Sequence, residues 1–357
     1  MENSARDMLS LLKRLSDIFG PSGCEERVAK AILEEADGYY DEYIKDTLGG
    51  VILKLCAKAP QKAPLMLSAH MDEVGFMISD IDEYGYLHFQ NVGGISDSVL
   101  PSRRVYVEAN DNTLISGVIA SKAIHLQSKE ERQRPYKPSE LLIDIGAADR
   151  DDAKKYVSVG AFATFEPDYL EFGENSSFIR SKALDDRFGC TVLLTVMQKL
   201  YASKEALCRD VYFAFTTREE LGLSGALTAA NRIGPEYALI IETTAISDIA
   251  ETPAELSVAE AGCGGCVSFA DRSTIYDERL VKRVLEISKE KGIPAQIKRF
   301  VSGGNDAGHI HKSGSGVKTV AISAPTRYLH SPSCVIAASD LFAVEALALE
   351  TARELAL

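Results

Sequence analysis

A change of pattern along the chain constrains its fold more than any other feature. From Gly75 to Phe165, short β-prone runs follow one another with Gly, Asn and Asp turns and with no helix between most of them. Such spacing predicts a small barrel or sandwich. On both sides, strand-like runs alternate with amphipathic helices. We therefore predict an α/β protein: a mostly parallel mixed sheet, with helices on both faces, from residues 1–73 and 168–357, plus an inserted small β-barrel domain, residues 74–167.

The predicted elements follow from the spacing of apolar residues. Apolar residues at helical spacing predict helices, and short runs rich in β-branched and aromatic residues predict strands. The predicted helices are residues 8–19, 28–33, 188–200, 224–231 and 340–357. The predicted strands of the main sheet are residues 51–55, 65–68, 211–216, 238–241, 296–301 and 319–322. The six predicted strands of the insert are residues 76–81, 86–90, 104–107, 117–120, 141–145 and 161–165.

Composition excludes several classes of partner. The 357 residues have a formal net charge of −13, which argues against nucleic acid or an anionic membrane as the main partner. No apolar run approaches the roughly 18 residues of a membrane span, and the N-terminus lacks the apolar core of a secretory signal. Seven scattered cysteines, an odd number, suit a reducing compartment better than a disulfide framework. We therefore expect a cytoplasmic protein.

Five places put metal-ligand side chains just beyond a predicted strand or at a tight turn. In open α/β sheets such side chains gather at the carboxyl ends of the strands. Imidazole and carboxylate together suit Zn²⁺, Co²⁺ or Mn²⁺. Two histidines and three acids are enough for two metal ions that share one bridging carboxylate. The five places are His70 with Asp72, Asp185-Asp186, Glu219-Glu220, Glu242 and His330.

The adjacent acids Glu219 and Glu220 need divided roles. Two neighbouring carboxylates repel each other, and a natural solution places one on a metal and keeps the other free as a general base. Alone, each place has a simpler explanation, such as a solvated turn for this pair or a helix cap for Asp185-Asp186. Glu242, at the end of a buried strand, is harder to dismiss because a buried carboxylate needs a partner. The five places together favour a metal centre.

The motifs around these residues resemble one known family in order along nearly the whole chain. The matching motifs are Ala69–Gly75 (AHMDEVG), Gly117–Ile119 (GVI), Ser121-Lys122, His125-Leu126, Asp144–Ala147 (DIGA), Lys182–Arg187 (KALDDR), Glu219–Gly222 (EELG), Gly225-Ala226, Gly303–Gly308 (GGNDAG), Pro325–Tyr328 (PTRY) and His330-Ser331. On these motifs, the chain is similar to the dinuclear metallo-aminopeptidases that include glutamyl and tetrahedral aminopeptidases and are often labelled endoglucanase or cellulase.

The resemblance implies a role for each candidate residue. It implies two divalent metal ions per subunit, Zn²⁺ or Co²⁺, with Mn²⁺ as a further candidate. His70 and Glu242 would bind one ion, Glu220 and His330 would bind the other, and Asp185 would bridge them. Glu219 would be the general base and acid, and Asp72 would hold His70 in place. The Asp185–Asp186 peptide is expected to be cis.

The resemblance also implies an assembly and an activity. The inserted domain would drive formation of a homo-oligomer, based on a dimer and extending to a tetrahedral shell of twelve subunits. The substrates would be peptides, from which the N-terminal residue is removed. Glu219 would take a proton from a metal-bridging water, the hydroxide would attack the scissile carbonyl, and Glu219 would return the proton to the leaving amine.

Two positions depart from the family pattern. Glu242 stands where Asp is common, and Arg218 stands where Gln is common. Because the position of Glu242 varies with exopeptidase class, a deacylase or carboxypeptidase on the same metal site is an alternative. The role of His125 is open between packing and contact at the subunit interface or site rim, and the role of Arg327 and Tyr328 is open between substrate contact and support of the His330 turn. The pair His309 and His311 is expected in the wall of the site without binding metal.

Two further alternatives lie outside the metallopeptidases. A glycoside hydrolase would need two carboxylates flanking a sugar, about 5–9.5 Å apart, and would give the histidines no task. The absence of Trp and an aromatic content of 8% also support a sugar-binding cleft poorly. A non-catalytic assembly or binding protein would have no use for the spare acid Glu219.

Overall fold

The computed structural model describes residues 2–253 and 257–357. Its centre is an eight-stranded mixed sheet with the strand order β1-β2-β12-β3-β13-β16-β14-β15. The four central strands β12, β3, β13 and β16 are parallel, and β14 runs antiparallel to β16. These strands are Glu42–Lys45 (β1), Val51–Leu55 (β2), Leu65–His70 (β3), Val211–Thr216 (β12), Tyr237–Ala245 (β13), Gly265–Val267 (β14), Ala295–Ile297 (β15) and Lys318–Thr326 (β16). The predicted mostly parallel mixed sheet is confirmed.

Helices cover both faces of this sheet. Helix α4 packs on β3 and β13 beside α1, α2 and α8, and α6 lies against α8, whereas α5 and α7 pack together on the opposite face. The helices are Glu2–Asp17 (α1), Glu26–Ala36 (α2), Arg150–Tyr156 (α3), Leu184–Tyr201 (α4), Ser224–Ile233 (α5), Glu278–Lys291 (α6), Ala307–Ile310 (α7) and Ala338–Ala356 (α8). Strand β3 is buried along its whole length, as expected for a strand covered on both faces. Among the described residues, no helix is both long and apolar enough to cross a bilayer.

The insert forms a closed antiparallel barrel with the strand order β4-β5-β8-β7-β6-β9. Phe76, Phe89 and Phe165 pack edge to face in its centre, with ring centroids 5.0 and 5.3 Å apart. The barrel has its own core, separate from that of the main sheet. Its strands are Gly75–Ile81 (β4), Leu87–Val92 (β5), Arg104–Glu108 (β6), Leu114–Ala120 (β7), Leu142–Asp144 (β8) and Phe162–Phe165 (β9).

Some elements lie outside the predicted set. A third, three-stranded sheet joins β10 (Leu170–Phe172), β11 (Phe178–Ser181) and β17 (Cys334–Ala337). Helix α6 and strands β1 and β14 were also not predicted. The strand predicted for residues 296–301 ends at Ile297, because the chain leaves the sheet there and the backbone N–H of Arg299 bonds to Val258 of a neighbouring loop.

Candidate active site

The predicted ligand residues meet at one edge of the main sheet. Strands β3, β12, β13 and β16 run parallel, so their carboxyl ends lie together, as expected for a site in an open α/β sheet. Helix α4 brings its first residues to the same edge. The structure places His70 at the end of β3, Asp72 in the loop after it, Asp185 at the start of α4, Glu219 and Glu220 in the turn after β12, Glu242 in β13, and His330 in the turn after β16.

Glu242 lies inside its strand, although the sequence predicted that the strand ends before it. Strand β13 continues to Ala245 because residues 243–245 keep pairing with residues 324–326 of β16. The strand therefore presents the side chain of Glu242 from within the sheet, and the residue is buried.

Asp185 lies between the two histidines. Its Oδ1 is 3.1 Å from Nε2 of His70, and its Oδ2 is 3.3 Å from Nε2 of His330. Burial alone would raise the pKa of Asp185, but hydrogen bonds from His330 and His70 hold this pKa well below its ordinary value. The two oxygens thus face two different groups of side chains, the arrangement that a bridging carboxylate requires.

One further acid completes each group. Oε1 of Glu242 is 3.7 Å from Nε2 of His70, and Oε1 of Glu220 is 3.3 Å from Nε2 of His330. Burial raises the pKa of both acids to about 8, and the charge of Asp185 adds to the effect. Burying several carboxylates together is costly unless cations accompany them.

The donor atoms fit divalent metal ions. The described residues contain two groups of metal-ligand side chains, and within each group the ligand atoms lie within 4.8 Å of one another. One group is His70, Asp186 and Glu242, and the other is His70, Asp185 and Glu220. Oε1 of Glu220 is buried and accepts no hydrogen bond from any described residue. A mixed set of imidazole and carboxylate donors is the set that Zn²⁺, Co²⁺ and Mn²⁺ share.

Both histidines are held through the ring nitrogen that faces away from the acids. Nδ1 of His70 lies 3.0 Å from the carbonyl oxygen of Asp72, and Nδ1 of His330 lies 2.8 Å from that of Gly94. Each Nδ1–H therefore donates to a carbonyl oxygen, so that loss of the Nε2 proton would leave the lone pair of Nε2 for a metal ion. Gly94 belongs to the loop after β5, so the barrel contributes directly to the site.

Asp72 does more than the sequence predicted. Its Oδ1 lies 3.4 Å from Nδ1 of His70, in keeping with the expected support of that ring. The same carboxylate also accepts the backbone N–H of Glu219 on Oδ1 at 3.0 Å and that of Glu220 on Oδ2 at 3.1 Å. Asp72 therefore fixes the turn that presents both acids.

Glu219 lies apart from the two ligand groups. No metal-ligand group among the described residues includes it. Burial raises the pKa of its carboxyl group well above the ordinary value, and the charges of Glu242 and Glu220 raise it further, against the opposing effect of His70. A carboxyl group whose affinity for protons is raised is suited to accept and return one.

Asp186 fits the helix-cap explanation of the double acid, whereas Asp185 stays the candidate metal ligand. Oδ1 of Asp186 accepts the N–H of Gly189 at 2.8 Å, which caps α4, and Oδ2 accepts the N–H of His70 at 3.3 Å. The peptide between Asp185 and Asp186 is cis, as expected. The cap holds the start of α4 while Asp185 faces the histidines.

A buried ion pair and an arginine connect the elements that carry the site. Lys182 donates to both carboxylate oxygens of Glu73, at 2.7 and 2.9 Å, and Thr164 of barrel strand β9 donates to the same carboxylate at 3.0 Å. Arg187 donates to the carbonyl oxygen of Met71 at 2.7 Å and to three carbonyls in residues 15–20. This network joins α1, the loop after β3, α4 and the barrel.

The sequence analysis did not predict a role for Asp306, although the residue lies in the matching motif Gly303–Gly308. Asp306 is buried at the start of α7, and Oδ2 accepts a 2.6 Å hydrogen bond from the hydroxyl of Thr216, the last residue of β12. Burial raises the pKa of Asp306 to about 6. Because Thr216 precedes the turn of the two acids, Asp306 holds the end of that strand. A lone acid after two glycines gives no sign of this contact.

The remaining candidates lie outside the ligand groups. The guanidinium of Arg327 binds both oxygens of Asp248 at 2.6 and 2.9 Å, so it supports the loop after β13. Tyr328 and His125 are exposed. Nδ1 of His309 and of His311 lies against a backbone carbonyl oxygen, and neither ring joins a metal-ligand group among the described residues.

The fold and the arrangement of acids and histidines define a hydrolase of the peptidase class. The family model described as M42 glutamyl aminopeptidase matches residues 49–347, and the chain belongs to this family. A putative aminopeptidase of Acetivibrio thermocellus is 37% identical over 94% of this chain and 95% of its own. This relationship makes the protein an aminopeptidase-family enzyme.

Solved structures agree in fold over nearly the whole chain. A TET aminopeptidase of the marine sediment archaeon Thaumarchaeota archaeon SCGC AB-539-E09 has a TM-score of 0.92 at 32% identity, covering 97% of this chain and 96% of its own. The Pyrococcus horikoshii TET1 peptidase, described as assembling into a tetrahedron or a large octahedral shell, has a TM-score of 0.85 at 33% identity. The alignment covers 96% of this chain and 98% of the TET1 chain.

Proposed function

We propose that the protein removes N-terminal residues from peptides with two divalent metal ions and with Glu219 as the general base. One observation carries the proposal. Asp185 presents one oxygen to each of two histidine-and-acid groups, while Glu219 belongs to neither group but interacts with the charges of His70, Glu242 and Glu220. This arrangement supports two cation sites with a shared ligand and a spare proton acceptor, a combination that can hydrolyse an amide.

The residues divide into two ligand sets. His70 and Glu242 would hold one ion and Glu220 and His330 the other, with Asp185 shared between them. Two bound ions supply a lowered pKa for water and an electrophile for the carbonyl group of the substrate. The buried carboxylates gain the cations that their burial requires, because each ion offsets the repulsion among Asp185, Glu220 and Glu242.

Glu219 would move the proton. Its carboxylate accepts a proton from the attacking water and returns it to the nitrogen of the leaving amine. The turn after β12 cannot shift freely, since Asp72 holds the backbone N–H groups of Glu219 and Glu220. Positioning of the base by a fixed backbone avoids reorganisation during the reaction.

Hydrolysis of a panel of aminoacyl-anilides tests this function. The protein would be stripped of metal and reconstituted with Zn²⁺, Co²⁺ or Mn²⁺. We expect hydrolysis of free-amine substrates only after reconstitution, and little hydrolysis of N-blocked or acyl-amino-acid substrates. A preference for the blocked or acylated substrates would instead identify a deacylase or carboxypeptidase. Release of reducing sugar that is insensitive to chelators would identify a glycoside hydrolase.

We also propose a homo-oligomer in a reducing, cytoplasmic environment. The assembly described for the Pyrococcus horikoshii TET1 peptidase supports a multi-subunit shell. The exposed Ile124 and Leu126, in the barrel segment between β7 and β8, support contact between subunits through the insert. All seven cysteines are unpaired, which supports a reducing compartment. Light scattering after gel filtration tests the assembly: a monomeric mass would contradict it.

A further inference from the structure

A second cleft, which we call the α2 cleft, lies between α2 and the hairpin of β1 and β2. Its lining includes Glu25, Ala29, Lys30, Leu33, Tyr43 and Leu48. The volume of the α2 cleft is about 570 Å³, and small-molecule sites typically enclose about 300–1,000 Å³. Its walls come from elements other than those that carry the proposed metal ligands. The α2 cleft therefore has the room and the apolar surface for a separate small ligand.

Glu25, just before α2, is a buried acid in the wall of the α2 cleft. Its Oε1 accepts the backbone N–H groups of Gly23 and Arg218, at 2.8 and 3.1 Å. Among the described residues, no other residue donates a hydrogen bond to its Oε2. Burial raises the pKa of Glu25 to about 7, with a further contribution from the charge of Asp72. A buried carboxylate with a free oxygen favours a ligand that brings a cationic donor.

Exposed charges of both signs also line the α2 cleft. Lys30 and Lys45 form no salt bridge with a carboxylate in residues 2–253 or 257–357. Glu26 and Asp37 likewise have no cationic partner in that part of the chain. A small ligand that carries both an ammonium group and a carboxylate can form ion pairs with charges of each sign, whereas a ligand with one charge would leave one sign unpaired.

The α2 cleft adjoins the turn that carries the two adjacent acids. Arg218, whose backbone N–H is bound by Glu25, directly precedes Glu219. Its φ of +56° is in the left-handed region, which costs free energy for a residue with a side chain. Gly49, on the hairpin side of the α2 cleft, lies close to Thr217, since an added Cβ atom would be 4.0 Å from Cγ2 of that residue. A ligand in the α2 cleft can therefore affect the backbone in front of the proposed general base.

We propose that the α2 cleft is a regulatory site that binds a free amino acid with an apolar side chain and thereby raises the turnover of the enzyme. The ammonium group of the ligand binds Oε2 of Glu25, and its side chain packs on Leu33 and Leu48. The ammonium group keeps Glu25 ionised, and an ionised acceptor holds the N–H of Arg218 more strongly. The acid turn is then better fixed for the reaction. The effect on turnover rests on the proposed aminopeptidase function, whereas the binding of the amino acid does not.

A fluorescent reporter in the α2 cleft tests the binding. The chain contains no tryptophan, so Tyr43→Trp introduces a single one at this place. We expect L-leucine to change its fluorescence in a saturable way. The matched control is Tyr84→Trp, in the exposed turn between β4 and β5, whose fluorescence should not respond. The absence of a saturable change in Tyr43→Trp would overturn the proposal.

Variants of Glu25 and analogues of leucine test which groups bind. In the Tyr43→Trp protein, Glu25→Gln should weaken the binding of L-leucine about 10-fold or more, the size of a hydrogen bond to a charged group. Glu35→Gln is the matched control on α2, because Glu35 pairs with Arg14 and should leave the affinity unchanged. 4-Methylpentanoate, which lacks the ammonium group, should bind at least about 10-fold more weakly than L-leucine. Equal affinities for the two compounds would overturn the proposal.

Hydrolysis of an aminoacyl-anilide by the metal-reconstituted Tyr43→Trp protein tests the effect on turnover. L-Leucine should raise kcat, with half of the effect at the concentration that half-saturates the fluorescence change. The measurement is made at saturating substrate, because L-leucine that competes at the active site changes only KM. Saturable binding without a rise in kcat would overturn the regulatory role. Saturable binding to a protein that hydrolyses no anilide would overturn the proposed function and would leave the amino-acid site standing.

Discussion

At the scale of single residues, the site separates two neighbouring acids by giving them different surroundings. Glu219 and Glu220 share one support, since Asp72 accepts the backbone N–H of each. Their side chains then diverge: Glu220 approaches His330, and Glu219 joins no ligand group among the described residues. A shared backbone support with separate side-chain environments supports the proposed division, in which one acid binds a metal and the other accepts a proton.

The first prediction concerns the free acid. Glu219→Gln keeps the shape of the side chain and the hydrogen bond from its backbone N–H to Asp72, but it removes the group that accepts the proton. We expect kcat to fall about 10²- to 10⁴-fold. Metal content, measured by atomic emission after dialysis, should stay at the wild-type level. Full turnover by this variant would exclude Glu219 as the base.

The second prediction concerns the support of both acids. Asp72→Ala leaves the backbone N–H groups of Glu219 and Glu220 without their buried acceptor, which costs roughly 3 kcal/mol or more because each bond involves a charged group. We expect a lower free energy of unfolding together with a 10- to 100-fold loss of activity or metal affinity. Asp72→Asn, which retains one acceptor oxygen, should lose less of each. Denaturant titration and metal analysis measure the two effects, and equal losses in both variants would contradict the two-acceptor role.

At the scale of elements, four parallel strand ends and one barrel loop form the site. Gly93, in that loop, has φ +85°, a left-handed conformation that favours glycine. A Cβ atom there would lie 2.8 Å from Cγ1 of Val74 and 3.3 Å from Cβ of Glu220. The next residue, Gly94, accepts the hydrogen bond of His330. The barrel loop therefore has to approach the ligands closely, and a side chain would prevent this.

The third prediction follows from this close approach. Gly93→Ala should destabilise the protein by about 1–3 kcal/mol and reduce activity and metal affinity, because the loop must move away from Glu220 and His330. The matched control is Gly160→Ala in the barrel, where φ is +92° but no atom lies within 4 Å of the added Cβ. The control should have a lower Tm because alanine is strained at this positive φ, but its metal affinity should be normal. Equal loss of metal affinity in both variants would contradict the prediction.

Sequence patterns predicted the fold and the proximity of the candidate residues, but they did not predict the contacts made by backbone atoms. Strand β12 was predicted with its observed bounds because Val211–Thr216 is a clear apolar run. The hydrogen bond from His330 to Gly94 and the double role of Asp72 depend on carbonyl and N–H groups, which every sequence contains. Glu242 was placed after its strand because polar residues follow it, although pairing with β16 continues.

At the scale of the whole molecule, folding brings several acids into one buried place. Burial raises the pKa of Glu220 and Glu242 to about 8. Without cations, the burial of these carboxyl groups therefore lowers the stability of the native state. Bound metal ions would remove that cost only in the folded chain. The stability of the protein should therefore depend on metal.

The fourth prediction is a change in thermal stability on chelation. Ions that bind only the native state stabilise it by about 2.7 kcal/mol at a free concentration of 100 Kd. We expect EDTA to lower Tm and added Zn²⁺, Co²⁺ or Mn²⁺ to restore it, as measured by differential scanning fluorimetry. Glu219→Gln should keep this response, and Asp185→Asn should lose most of it because both groups share Asp185. A Tm that changes neither with chelator nor with added metal would contradict the proposed metal centre.

The barrel is not a detachable module. It supplies Gly94 to His330 on one side and Thr164 to the Glu73–Lys182 ion pair on the other. An insert exchanged between relatives must therefore bring a matching glycine loop and a hydroxyl at these two points, or His330 and the Glu73–Lys182 ion pair will lose these supports. If the barrel mediates subunit contact and His330 binds a metal ion, as proposed, strain from subunit packing would reach His330 through one hydrogen bond, and assembly would then affect metal affinity.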